Sequence, residues 1–190
     1  MIRYLSLTLI LAASTAHGQP LDLDAIARQP GTEVISGRAT DGTEIVTIKR
    51  AGVEVILQGD REISIDRARP AVLCTWGLAV EAKIAADLCY PNEYTKVSKM
   101  LSDYVDAANN FIVANSLRPV TKADLEKSIA QRRAEMAARI EKHGVSSARK
   151  SVCQGQGQLL AAWSREPEKF RQELWEGLAV PRPPAKNPCL

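Results

Sequence analysis

The chain has 190 residues, of which 45% are hydrophobic, and sets 25 Lys and Arg against 22 Asp and Glu for a formal net charge of +3. That balance excludes a strong global field toward nucleic acid or acidic lipid. The length is enough for one domain to bury its own core. Four cysteines and two histidines, with no Cys-x-x-Cys, exclude a thioredoxin-like redox motif and the usual zinc spacings, so no metal or other cofactor is expected.

The first residues combine one positive charge, Arg3, with a short apolar run from Leu5 to Ala13 and a small-residue stretch, Ser14, Thr15, Ala16, His17, Gly18. This is the layout of a secretory signal peptide over residues 1–18, cleaved before Gln19, with a cut before His17 as the alternative. The run is too short to span a membrane, which takes about 20 residues. The expected location is therefore the periplasm or the outside of the cell, with no transmembrane segment in the mature chain. In such a compartment four cysteines read as two disulfides.

Three further regions follow: a β-rich segment over 19–69, a disulfide-stapled helical bundle over 70–180 and a Pro-rich tail over 181–190. Asp22 to Arg28 has room for a helical turn or two. From Glu33 the period is two. Glu33–Arg38, Thr43–Lys49, Val53–Leu57 and Glu62–Ile65 read as strands, rich in β-branched residues and separated by Asp41-Gly42, Ala51-Gly52 and Gly59-Asp60. Together they predict a small antiparallel β-meander whose apolar set needs another surface to cover it.

After Pro70 the period lengthens. A first long helix is expected from about Ala71 to Leu88, with Leu73, Trp76, Val80, Ile84 and Leu88 on one face. A second runs from about Glu93 to Asn115. Thr121 is a good N-cap for a third, with Asp124 three positions on, and Gly144 stops it after His143. A fourth is expected over about Ser146–Ser164, and Pro167 suits the first turn of a short fifth. The fold class is mainly α: an antiparallel bundle of four main helices plus a short fifth, preceded by the meander.

The helices constrain the cysteines. Cys74 and Cys89 lie fifteen residues apart on one helix, hence ~22 Å apart, beyond the ~7 Å Cα limit of a disulfide. In an up-down bundle Cys89 and Cys153 lie nearest in height, which favours Cys89–Cys153 with Cys74–Cys189 securing the tail. Cys74–Cys153 with Cys89–Cys189 is the alternative.

Chemistry-bearing residues are few. His143, at the end of the third helix, suits the negative end of the helix dipole better than a catalytic role, since no nucleophile motif accompanies it. Asp103 and Asp106 share a helix face with Lys99 and read as solvated. From Arg118 to Lys150 nine Lys or Arg stand against four acids. Arg132, Arg133 and Arg139 are thus a candidate interaction face for an anionic surface or an acidic partner, although a plain solvent-facing helix side is the simpler reading. The run lacks the interleaved aromatics of single-strand binders, so nucleic acid is not expected. Gln154, Gly155, Gln156, Gly157 and Gln158 form a candidate ligand segment. Close packing against the small residues Ala79, Ala82, Ala85 and Ala86 is the competing account. Trp76, Trp163 and Trp175 read as core rather than as an aromatic box. The functional expectation is an exported, non-catalytic envelope protein that binds a protein partner or an anionic surface. A small hydrolase or ligand-binding protein built on the glutamine-glycine segment is the alternative.

Overall fold

A computed structural model describes residues 21–189, so the expected signal peptide lies outside the described residues. Within them the chain runs α1 (Leu23–Ala27), β1 (Thr32–Arg38), β2 (Glu44–Arg50), β3 (Val53–Gln58), β4 (Arg61–Asp66), α2 (Val72–Cys89), α3 (Thr95–Asn115), α4 (Lys122–His143), α5 (Val145–Ser151), α6 (Gln154–Arg165) and α7 (Pro167–Glu176).

The four strands form one antiparallel sheet in chain order. The β2–β3 turn is two residues long, with Ala51 at φ 49° and Gly52 at φ 87°. This left-handed pair matches the twist of the flanking strands. Gly52 is required twice over, because a Cβ there would also lie 2.8 Å from the Cβ of Ala68. Register assigns the two faces. Val34, Ile48, Val55 and Ser64 align across one face, flanked by Val46 and Val53. This face is the inner one: Ile48, Val46, Val53 and Val55 are buried in a core with Ile26 of α1, Ala71 and Ala185. Ile35, Thr47, Ile56 and Ile63 align across the other face, flanked by Ile45 and Ile65. Ile35 remains 43% and Ile63 48% exposed. None of these five isoleucines belongs to a hydrophobic core among the described residues.

The helices pack around α2. The expected single stripe on that helix is corrected by the structure. Val72, Thr75, Trp76, Ala79, Val80, Ala82, Ile84, Ala85, Ala86 and Cys89 are buried, spread over most of the helix circumference, whereas Leu73 and Leu88 are half-buried. A helix buried over so wide a sector is a central one, and its charged residues, Glu81, Lys83 and Asp87, sit on the remainder. Its alanines let α3, α4 and α6 all contact it. Polar groups inside this core are satisfied. The Trp76 indole donates to Asn109 Oδ1 at 2.8 Å, and the Thr75 and Tyr104 hydroxyls share a hydrogen bond of 2.6 Å.

The expected fourth helix is two helices. The chain leaves α5 at Val152, and Cys153, with φ −105° and ψ 1°, starts α6 from a non-helical conformation. Cys153 sits there because it is bonded to Cys89, with Cα atoms 6.6 Å apart. The tertiary link overrides an uninterrupted helical pattern. Capping of α4 follows the expected chemistry. The Thr121 hydroxyl accepts from the Asp124 amide, and the Asp124 carboxylate accepts from the Thr121 hydroxyl at 2.6 Å and from the Thr121 amide; these two bonds to the carboxylate, the hydroxyl's first, hold it below its usual range.

The tail is extended, as its prolines imply, but it is not peripheral. Residues 182–185 are buried. Asn187 forms a parallel bridge with Ile65, its amide donates to Ser64 O at 3.1 Å, and its carbonyl accepts from the Asp66 amide at 2.7 Å. The Leu73 amide donates to Ala185 O at 2.8 Å, so the tail lies between β4 and the start of α2. Arg182 is fully buried. It donates through Nε to Asp66 Oδ2 at 2.5 Å and through Nη1 to Gly177 O at 2.7 Å. Cys189 is bonded to Cys74, with Cα atoms 5.4 Å apart.

Candidate functional site

The polar features singled out in the sequence gather at the C-terminal half of α2. Arg132 of α4 reaches Glu81 at 3.2 Å and lies over the Trp76 ring at 5.5 Å. Arg133 donates to Asp87 Oδ2 at 2.9 Å. Both guanidinium groups therefore link α4 to α2, and Arg139 alone of the three has no ion pair among the described residues. Asp87 is a hub, accepting also from Lys83 at 2.7 Å and Ser98 at 3.3 Å. Partial burial by itself would raise its carboxyl pKa. The hydrogen bonds and charges of Lys83 and Arg133 outweigh that and hold it below the usual range.

The glutamine-glycine segment opens α6 rather than interrupting a longer helix. Its two glycines thus fall in the first turn, where the propensity cost is smaller than in a helix interior. Gly157 is buried and faces Tyr90, not the α2 alanines that looked small enough for the approach. A Cβ at 157 would lie 2.8 Å from Tyr90 Cζ. The Tyr90 hydroxyl donates to Cys153 O at 3.4 Å, and Arg149 lies over the ring at 5.0 Å. Arg149 also donates to Cys89 O at 2.6 Å and pairs with Glu93 at 2.8 Å. Burial, together with Tyr94 and Glu93 nearby, pushes the Tyr90 hydroxyl above its usual range. Gly157 is thus small because the Tyr90 ring, packed against the cluster of Cys89 and Cys153, fills the space a Cβ would take.

No known protein family, curated protein or solved structure matches this chain.

Two shallow depressions flank this region. One, of about 350 Å³, lies between α2 and α3 and is lined by Lys83, Asp87, Tyr90, Tyr94, Ser98 and Lys99. The other, of about 160 Å³, brings Arg132 and Arg139 together with Gln156, beside Glu81 and Glu135. The candidate arginine face and the candidate ligand segment therefore meet through one glutamine, while Gln154, Gly155 and Gln158 point to solvent. Charge alternates in sign around both depressions, which suits interhelical attachment more than concentrated anion binding.

The remaining candidates are placed apart. His143 is exposed in the last turn of α4. Asp103 pairs with Lys99 at 3.3 Å on an exposed side, and Asp106 is exposed. Trp163 stacks on Phe170 at 3.9 Å and Trp175 packs near Tyr104 at 5.4 Å, so the three tryptophans are distributed through the packing and do not frame one box. Among the described residues no group of His, Cys, Asp or Glu is arranged to hold a metal, and no helix is long and apolar enough to cross a membrane.

Proposed function

We propose that this chain is an exported, non-catalytic binding protein of a cell envelope, in which an antiparallel bundle of the longer helices holds the sheet as a docking surface for a protein partner. The observation behind the reading is the outer sheet face, where Ile35, Ile45, Ile56, Ile63 and Ile65 stand together and Ile35 and Ile63 are nearly half exposed. Isolated exposed apolar residues need no explanation, but a contiguous patch is a mark of an interaction site. The two disulfides suit an oxidising compartment, as does the signal-like pattern of residues 1–18. Protein is favoured over an anionic surface because Arg132 and Arg133 are engaged by Glu81 and Asp87.

The test is capture from envelope extract with the oxidised mature chain, a reduced control, and two variant sets. Ile35→Lys with Ile63→Lys should abolish capture of the partner without shifting the melting temperature. Arg132→Gln, Arg133→Gln and Arg139→Gln together should leave capture intact. The reverse pattern, with the arginine set losing the partner and the isoleucine set keeping it, would overturn the reading in favour of the basic face.

A further inference from the structure

The register that makes Ile35, Thr47, Ile56 and Ile63 one row of the outer sheet face sets a charged row beside it. Glu33, Lys49 and Glu54 stand opposite one another on β1, β2 and β3. Each lies two residues from Ile35, Thr47 or Ile56, so all three share the isoleucine face. Arg67 completes the row just past β4: its amide donates to Gly52 O at 3.0 Å and its guanidinium pairs with Glu54 at 3.0 Å. From β1 to β4 the signs run minus, plus, minus, plus.

A row of that pattern is complementary to itself when turned over. A two-fold axis in the plane of the face and along the strands lays β1 over β4 of a second copy and β2 over β3, with every row at its own height. Glu33 then faces Arg67, Lys49 faces Glu54, Ile35 faces Ile63 and Thr47 faces Ile56. In the row on the other side Gly37, with nothing within 4 Å of where a Cβ would stand, faces Arg61 and leaves room for its stem. Other placements fail. Moving the axis sideways onto β2 sets Glu33 against Glu54 and Lys49 against itself. An axis across the strands lays each strand over its own copy, so Lys49 meets Lys49, Thr47 or Ile45 and finds no acid. Sheets packed face to face keep their strands within about 30° of each other, which an axis along the strands provides.

We propose that the occupant of the outer sheet face is a second copy of this chain, packed sheet on sheet about that axis in an isologous dimer. The proposal rests on the outer face being a docking surface and names what docks there. Four strands at ~4.8 Å spacing, each contributing about five residues at ~3.4 Å, cover roughly 300 Å². A patch of that size is small against the ~800 Å² that each partner gives to a standard interface, so the dimer should be weak and concentration-dependent.

Sedimentation velocity of the oxidised mature chain across a concentration series should show a monomer–dimer equilibrium. Methyl NMR of a sample mixed from differently labelled copies should show a through-space contact between Ile35 of one copy and Ile63 of the other. Within one copy these residues are three strands apart, ~14 Å, too far for such a contact. Lys49→Glu makes Glu face Glu54 twice in the dimer, and Glu54→Lys makes Lys face Lys49 twice, so each variant alone should self-associate at least about ten-fold more weakly. Mixed one to one, the two variants place opposite charges at both contacts and should associate nearly as well as the unsubstituted chain. A dimer without the Ile35–Ile63 contact, or a mixture of folded variants that associates no better than either alone, would overturn the proposal. So would a chain that stays monomeric at millimolar concentration. If that monomer still captures another protein through Ile35 and Ile63, the docking surface stands with a different occupant; if it captures nothing, the docking surface falls as well. The contact on the unsubstituted chain decides the matter even if a variant does not fold.

Discussion

Replacing Asp66 by Asn tests what joins sheet, helices and tail. The Asp66 and Arg182 side chains are 1% and 0% exposed, and the two form an ion pair at 2.5 Å. Asn keeps the shape of Asp and keeps an Oδ1 acceptor for the Ala68 and Arg69 amides, which Asp66 receives at 2.9 Å each. It removes the charge and puts an NH2 donor where Oδ2 accepted from Arg182 Nε. The guanidinium is then left buried against Gly177 O, Val180 O and Pro70 O, with the Phe111 ring 5.7 Å away. Breaking one side of a buried pair typically costs about 3–5 kcal/mol. Three remaining carbonyls offset part of that, so Asp66→Asn should cost about 3 kcal/mol, a large part of a typical domain's stability. Asp66→Ala also strands two amides and should cost roughly 1–2 kcal/mol more. Arg182→Met should be costly alone, yet added to Asp66→Asn it should cost less than it does alone, with a coupling of at least about 1 kcal/mol. Urea unfolding of the oxidised protein measures all four, as a shift in midpoint at constant slope. A loss below about 0.5 kcal/mol for Asp66→Asn, or strict additivity in the double variant, would refute the view that this pair is the joint.

Three further outcomes follow from local geometry. Gly157→Ala should destabilise by about 1–3 kcal/mol because its Cβ meets the Tyr90 ring, whereas Gly155→Ala, with nothing within 4 Å of its Cβ, should be neutral or stabilising by up to ~1 kcal/mol; thermal unfolding of the pair reads the contrast. Burial pushes the Tyr104 hydroxyl up to about 12, so below pH ~10 its contribution is complete, and above that the unfolded chain loses the proton while the folded one keeps it. Tyr104 should make stability fall between pH ~10 and about 12 with a limiting slope near 1.4 kcal/mol per pH unit, and Tyr104→Phe should remove that contribution, leaving the one from Tyr90, when unfolding is followed against pH. Cys189→Ser opens a loop of 115 residues and should lower stability by about 5 kcal/mol in the chain-entropy account, read as a midpoint shift; a loss under ~1 kcal/mol would mean the tail holds its place without the bond.

The strands and the longer helices were legible because local rules agree there. Asp41-Gly42, Ala51-Gly52 and Gly59-Asp60 each sit at an observed hairpin, and α4 is bounded by the Thr121 side-chain cap and by Gly144 at φ 72°. What escaped was set by contacts distant in sequence. Val152, Leu159, Leu160 and Trp163 continue a helical period through Cys153, and only the bond to Cys89 shows why the helix breaks there. Arg132 and Arg133 read as a solvent face because their acids, Glu81 and Asp87, are 51 and 46 residues away in sequence. Arg182, in a proline-rich stretch near the C-terminus, has the composition of a loose tail, and its partner Asp66 is 116 residues earlier.

The sheet shows how a legible element can still hide its role. Ile45-Val46-Thr47-Ile48 is apolar or β-branched on both parities, and in Ile63-Ser64-Ile65 the isoleucines lie on the outer face while Ser64 is buried, so alternation alone does not say which side turns inward. An antiparallel sheet with one wet face ordinarily alternates apolar with polar, and strands apolar on both sides ordinarily lie between two layers. The structure supplies one layer: α1, Ala71 and Ala185 cover Val46, Ile48, Val53 and Val55. Over Ile35, Ile56 and Ile63 no second layer stands among the described residues. Solubility alone would favour polar residues there, and Glu33, Lys49, Glu54 and Arg67 show that the strands and the loop after β4 carry such residues nearby, paired with one another at 3.8 and 3.0 Å. An apolar patch beside a neutralised charged row is therefore better suited to being covered than to facing water, which is why the proposed docking surface is the sheet rather than the basic helix.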